Sequence, residues 1–181
     1  MRRASSGWCK NASFALTLFD RAVTMTDPDD IRAWQRLSDR ITTSGRLLPD
    51  DPARLAALGV KRIVNLALDT HPEALAGEAD LCAALGLSYV HIPIPFDAPQ
   101  EGHFDAFCAI MDGDDLPTHV HCIANWRVSA CFYRYNRDIA GMAEPEARAL
   151  MTAQWDPETS DYPGAAAWAA FIAPEQKGEA S

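Results

Sequence analysis

The chain has 181 residues, 48% of them hydrophobic and 23% charged, with a formal net charge of −9. That length fits one domain able to bury a core without metal or disulfide support, and no apolar run approaches the roughly 18–20 residues that a membrane span needs. The negative balance disfavours nonspecific binding to nucleic acid or an anionic membrane, although a few N–H donors and one arginine can still hold an anionic substrate locally.

The first 24 residues carry Arg2, Arg3, Lys10 and Arg21 against a single acid, Asp20. The stretch Phe14 to Phe19 is too short, and too interrupted by Thr17, for a signal-peptide core. Met25-Thr26-Asp27-Pro28 then reads like a fresh start. Residues 1–28 are therefore expected to be an extension without fixed structure, 29–173 the domain, and 174–181 a frayed tail.

Within the domain, a helix is expected over Asp29 to Ser38, with Ile31, Trp34 and Leu37 on one side, and a short strand over Ile41 to Arg46. Asp50/Asp51-Pro52 starts a helix that Gly59 stops. Arg62 to Ala67 reads as a buried strand, Pro72 to Leu85 as a helix ended by Gly86, and Ser88 to Ile94 as a strand ending among prolines. Glu101 to Met111 is helical, with Phe104, Phe107, Cys108 and Met111 on one face. A short strand, Thr118 to Cys122, leads to helices over Val128 to Ile139, Pro145 to Trp155 and Tyr162 to Ile172. Three or four strands separated by helices predict a single α/β domain, with a small, mostly parallel central sheet flanked by helices. Ligands in such folds sit where the carboxyl ends of strands lead into helices.

The cysteines Cys9, Cys82, Cys108, Cys122 and Cys131 are odd in number, irregularly spaced and without Cys-x-x-Cys. That argues against a disulfide framework or zinc ribbon and for free thiols in a reducing cytoplasm, with Cys82, Cys108 and Cys131 buried in helices. Cys122 differs. It ends the strand Thr118-His119-Val120-His121-Cys122 and stands just before a helix N-terminus. Free N–H groups and the positive end of the helix dipole stabilise an anion there: first a thiolate, then the phosphoryl group of a substrate gripped by an arginine fork.

The segment His121-Cys122-Ile123-Ala124-Asn125-Trp126-Arg127-Val128-Ser129 resembles the signature loop of the protein tyrosine and dual-specificity phosphatase superfamily. Val64-Asn65-Leu66, then Tyr89 to Ile94, then a loop with an aspartate follow the order of its dual-specificity-like members, so the resemblance spans about Ile41 to Ile139. It implies that Cys122 is the nucleophile that forms a phosphocysteine, Arg127 the phosphoryl-binding arginine, and Ser129 a hydrogen-bond donor to the leaving thiolate. Ile123, Ala124, Asn125, Trp126 and Val128 would line the anion nest, and His121 would support the loop backbone. Asp97, in Pro95-Phe96-Asp97-Ala98-Pro99, would be the general acid, with Asp69 as a second candidate. The implied partner is a phosphorylated protein or a small phosphate ester, with no metal or organic cofactor. His119 and His121 share a strand face, but Cys122 points to the other and no fourth ligand cluster appears.

One departure bears on the chemistry. The phosphatase signature keeps five residues between cysteine and arginine; here there are four, Ile123 to Trp126. Ser129 keeps its place, Val128 occupies the usual arginine slot, and Asn125 stands where glycine is usual. Either the loop re-registers so that Arg127 points inward, or the arginine points elsewhere and the domain binds phosphate with little or no turnover. The same spacing also resembles a rhodanese-type sulfurtransferase loop.

Overall fold

The computed structural model describes residues 26–174; the expectations for residues 1–25 and 175–181, and for Cys9, lie outside them. The strands are β1 (Gln35–Arg36), β2 (Ile41–Ser44), β3 (Arg62–Asn65), β4 (Ser88–His91) and β5 (Thr118–His121). They form one sheet in the order β1-β2-β5-β3-β4, in which only β1 runs antiparallel to its neighbour. The fold is the expected α/β domain with a mostly parallel sheet, and β5, the strand that leads to Cys122, lies at its centre. Among the described residues no helix is long and apolar enough to cross a membrane.

The helices are α1 (Asp51–Ala57), α2 (Glu78–Ala84), α3 (Glu101–Asp112), α4 (Trp126–Arg134), α5 (Glu144–Thr152) and α6 (Ala165–Ile172). Side chains alternate across the central strands. Val64 and Val120 face the larger core, with Phe107, Phe132, Met151 and Trp168. Ile63 faces a smaller core on the other side, with Leu55, Cys82 and Leu87. Helix α4 is buried on all sides from Arg127 to Arg134 and continues as a π-helical turn, Tyr135–Ile139.

Two expected helices are corrected. Asp29 to Ser38 forms bends and the edge strand β1, because Gln35 and Arg36 pair with Thr43 and Thr42 and Trp34 stacks on His119 at 5.3 Å. Pro72 to Leu85 is helical only from Glu78, since Gly77 has φ 67°, the left-handed region that ends regular helix. The twelve residues before α2, Leu66 to Gly77, are thereby freed to reach the sheet's carboxyl edge.

His119 on β5 is fully buried, which favours its neutral ring, and its hydrogen bonds suit that form. Ser44 Oγ donates to Gly45 O (2.9 Å), so it accepts from His119 Nε2 (2.9 Å), and Thr42 Oγ1 donates to Nδ1 (2.9 Å). Burial first, and the neighbouring His121 second, hold its pKa well below the ordinary 6.5. Above that value the ring is neutral in folded and unfolded chains alike. Below it only the unfolded chain takes up the proton. Stability is therefore complete above the unfolded pKa and falls, by about 1.4 kcal/mol per unit, as pH drops toward the folded one. Urea unfolding at neutral and mildly acid pH is expected to show this slope reduced in His119→Asn; an unchanged slope contradicts it.

Candidate active site

Chain direction at the end of β5 builds the site. The Cys122 amide still bonds across to Ser44 O (3.4 Å), and the Ile123 carbonyl accepts from Arg46 N (3.0 Å). The chain then turns through Asn125, whose φ of 65° is left-handed, into α4. Asparagine tolerates this conformation better than most residues. Its side chain also pins the loop from beneath, with Nδ2 donating to Ala33 O (2.8 Å) and Thr43 Oγ1 (3.0 Å). Gly45 lets the exit of β2 lie close: a Cβ there would stand 2.8 Å from Ile123 O.

The amides of residues 123 to 128 have no hydrogen-bond acceptor among the described residues, and the first turn of α4 carries no acid. Six consecutive free N–H groups at a helix start form the kind of nest that holds an anion. Beside them opens a cavity of about 490 Å³ whose lining includes Cys122, Ile123, Ala124, Trp126 and Arg127. Cys122 is only 1% exposed and contributes to the cavity wall.

Arg127 reaches this cavity. Its Nε donates to Ile94 O (2.9 Å) and its guanidinium carbon lies 5.1 Å from the Phe96 ring centre, while its two terminal nitrogens have no partner among the described residues. Val128, in the usual arginine slot, is fully buried in the larger core, so only its amide can serve a ligand. The side chain of Asn125, turned beneath the loop, likewise leaves only its amide. Ser129 is corrected: its hydroxyl donates to Trp126 O (3.0 Å) and its amide to Asn125 O (2.9 Å), with no hydrogen bond to the Cys122 sulfur. It faces Gln35, Leu37 and Thr43 rather than the cavity.

Asp97 is exposed at the cavity rim, whereas Asp69 does not line the cavity. The segment bearing Asp97 is held by its neighbour Phe96. Trp168 Nε1 donates to Phe96 O (2.7 Å), and the Phe96 ring packs among Trp126, Trp155, Tyr162 and Trp168 with centres 5.5 to 6.0 Å apart. Gly164 (φ 92°) permits this approach, since a Cβ would come 2.9 Å from Phe96 Cδ1.

Sequence reasoning missed the opposite wall. Arg32, His71 and Glu73 line the cavity, and Glu73 pairs with both Arg32 (3.5 Å) and Arg46. His71 Nδ1 accepts from Glu73 N (3.1 Å), which leaves Nε2–H as the ring's donor. His71-Pro72-Glu73 stands at the start of the helix expected from Pro72, and nothing in its sequence tied it to Cys122. Tyr162 and Pro163 complete the aromatic side.

His121, expected to support the loop, places Nδ1 3.4 Å from Cys122 O and Nε2 2.7 Å from the buried carboxylate of Glu78. The other described thiols are poor nucleophiles. Burial pushes Cys82 and Cys108 up to about 11, with Glu78 and Asp112 adding to it, and burial raises Cys131 further still. Cys82 and Cys131 are buried in helices as expected, whereas Cys108 is only half-buried.

No family model and no curated protein matches the chain. Solved structures do. A DUF442 protein from Shewanella putrefaciens CN-32, provisionally described as a phosphatase, superposes with a TM-score of 0.68 at 30% identity, covering 79% of this chain and 90% of that one. A second structure with the same description gives 0.66 at 28% identity, covering 79% and 92%. TpbA of P. aeruginosa, which has also been solved with phosphotyrosine, gives 0.62 at 15% identity, covering 81% and 86%, a likeness of fold alone.

Proposed function

Because the chain belongs to the family of the DUF442 protein from Shewanella putrefaciens and has the protein tyrosine phosphatase-like fold, we propose that it is a cysteine-dependent hydrolase of phosphate monoesters working through a phosphocysteine. One observation carries the reading: Cys122, three of the loop residues whose amides are free among the described residues (Ile123, Ala124 and Trp126), and Arg127, with both terminal nitrogens unpartnered there, line one cavity. In the first step the Cys122 sulfur attacks phosphorus and the bond to the ester oxygen breaks. Asp97 delivers its proton to that oxygen. In the second step Asp97 takes a proton from water, whose oxygen displaces the sulfur and releases inorganic phosphate. Charge on the phosphoryl oxygens is met by the amides and Arg127 in both steps. The departing thiolate is stabilised by the helix N-terminus, with no help from Ser129.

The walls suggest the ester. Phe96, Trp126 and Tyr162 offer flat apolar surface, and Arg32 with His71 Nε2 offers donors on the other side. An aryl phosphate fits this contrast, including phosphotyrosine of a protein or a small aromatic ester. A thiol nucleophile needs a reducing compartment, so the cytoplasm is the proposed location.

A second reading, sulfur transfer, is favoured by the four-residue spacing together with the turned-away Ser129 hydroxyl. The two separate cleanly when the purified chain is given 4-nitrophenyl phosphate and, in parallel, thiosulfate with cyanide. Phosphate release without thiocyanate is expected. Thiocyanate formation with a persulfide on Cys122 and no phosphate release overturns the phosphatase reading. Phosphate binding without either product leaves a noncatalytic phosphate-binding module.

If Asp97 is the proton donor, its removal matters most when the leaving oxygen is basic. Asp97→Asn is expected to slow phenyl phosphate hydrolysis by about 10²–10³-fold and 4-nitrophenyl phosphate hydrolysis far less. Steady-state rates on the two esters check this; equal losses on both would remove Asp97 from the acid role.

A further inference from the structure

We propose that Glu78, buried on the smaller-core side of the sheet, is a positioning residue for the Cys122 loop, acting through His121. Glu78 opens α2 and its side chain is 3% exposed. One carboxylate oxygen lies 2.7 Å from His121 Nε2; the other accepts from Asn65 Nδ2 (2.9 Å) and the Tyr89 hydroxyl (3.2 Å). Glu78 does not line the cavity, so no substrate reaches it.

A buried carboxylate costs several kcal/mol unless its charge is matched. Asn65 and Tyr89 are neutral donors. No Lys or Arg pairs with Glu78 among the described residues; its one ion-pair partner is His121. Among the described residues the other groups close to Glu78 are the uncharged Asn65, Tyr89 and Cys82, and the ring of His119 lies 6.3 Å from that of His121. His121 Nε2 lies 2.7 Å from that carboxylate in a close polar contact rather than an aligned hydrogen bond, and Nδ1 lies 3.4 Å from the Cys122 carbonyl oxygen.

One consequence reaches the nucleophile. The peptide is planar, so its C=O and N–H point in opposite directions; drawing the Cys122 carbonyl toward His121 aims the Ile123 N–H away from His121, toward the nest. Glu78 thereby fixes the ring that orients the first amide of the loop.

The inference deepens the proposed reading, but its test needs no turnover. Alkylation of Cys122 by iodoacetamide at neutral pH, resolved from the other thiols by peptide mapping, reports its reactivity directly. Glu78→Gln keeps the shape and one acceptor while removing the charge. It is expected to slow alkylation of the folded protein about ten-fold. In a His121→Asn background the same substitution is expected to add nothing, because the two act in series. A purely structural glutamate would lower the unfolding midpoint and leave the alkylation rate of folded molecules unchanged, and that result overturns the proposal. So does an equal further loss in the His121→Asn background. Should Glu78→Gln fail to fold, Glu78→Asp, which draws the carboxylate back from Nε2, is read against the same two outcomes.

Discussion

Cys122→Ser is expected to abolish hydrolysis of aryl phosphates, a loss on the order of 10⁴-fold or more, while inorganic phosphate still binds within about two-fold of wild type. A serine hydroxyl is far less acidic than a thiol, and the adjacent histidine, His121, places its two ring nitrogens against the Glu78 carboxylate and the Cys122 carbonyl. The amides and Arg127 proposed to hold the anion are untouched by the exchange of one atom. Rate assays together with a phosphate titration followed by tryptophan fluorescence check both halves, since Trp126 lines the cavity. Turnover equal in the two proteins contradicts a cysteine nucleophile. Loss of binding together with turnover would instead mean that the substitution damaged the nest.

Arg127→Lys is expected to cost on the order of 10²–10³-fold in kcat/KM. Lysine keeps a charge but not the planar fork, and it cannot donate to Ile94 O through an Nε–H while presenting two further donors to the phosphoryl oxygens. Stacking on Phe96 is lost as well, although that contact at 5.1 Å adds little by itself. The measurement is kcat/KM on an aryl phosphate beside the unfolding midpoint. Unchanged kcat/KM would assign Arg127 to anchoring the Asp97 segment and would leave the oxyanion to the amides alone.

The strand-to-helix passage through Cys122 was legible because it is local: alternating apolar and polar residues on β5, then a helix whose start needs no long-range contact. The displaced arginine was legible as a spacing, but its direction was not. A shift of one residue turns a side chain by about 100° around a helix, and whether Arg127 or Val128 meets the cavity depends on where α4 begins. Val128 is drawn into the larger core and Arg127 is left for the site. The same geometry turns Ser129 away.

Arg32, His71, Glu73 and Tyr162 could not be read from sequence, since they come from three separate segments that only the sheet's carboxyl edge brings together. The error at Asp29 to Ser38 has a related cause: its apolar spacing suits a helix, but Trp34 finds His119 to stack on and the backbone finds β2 to pair with. In sequence Glu78 reads as an ordinary acid in the middle of the helix expected over Pro72 to Leu85, until Asn65, Tyr89 and His121 close around it.

Rapid quenching of an aryl phosphate reaction in acid, followed by mass spectrometry of the peptide that contains Cys122, shows whether a phosphocysteine forms. A phosphoryl group on the Cys122 sulfur during turnover, accumulating further when water attack is slowed in Asp97→Asn, is the predicted result. Turnover with Cys122 unmodified at every quench time, and inorganic phosphate released at the same rate by Cys122→Ser, would contradict it.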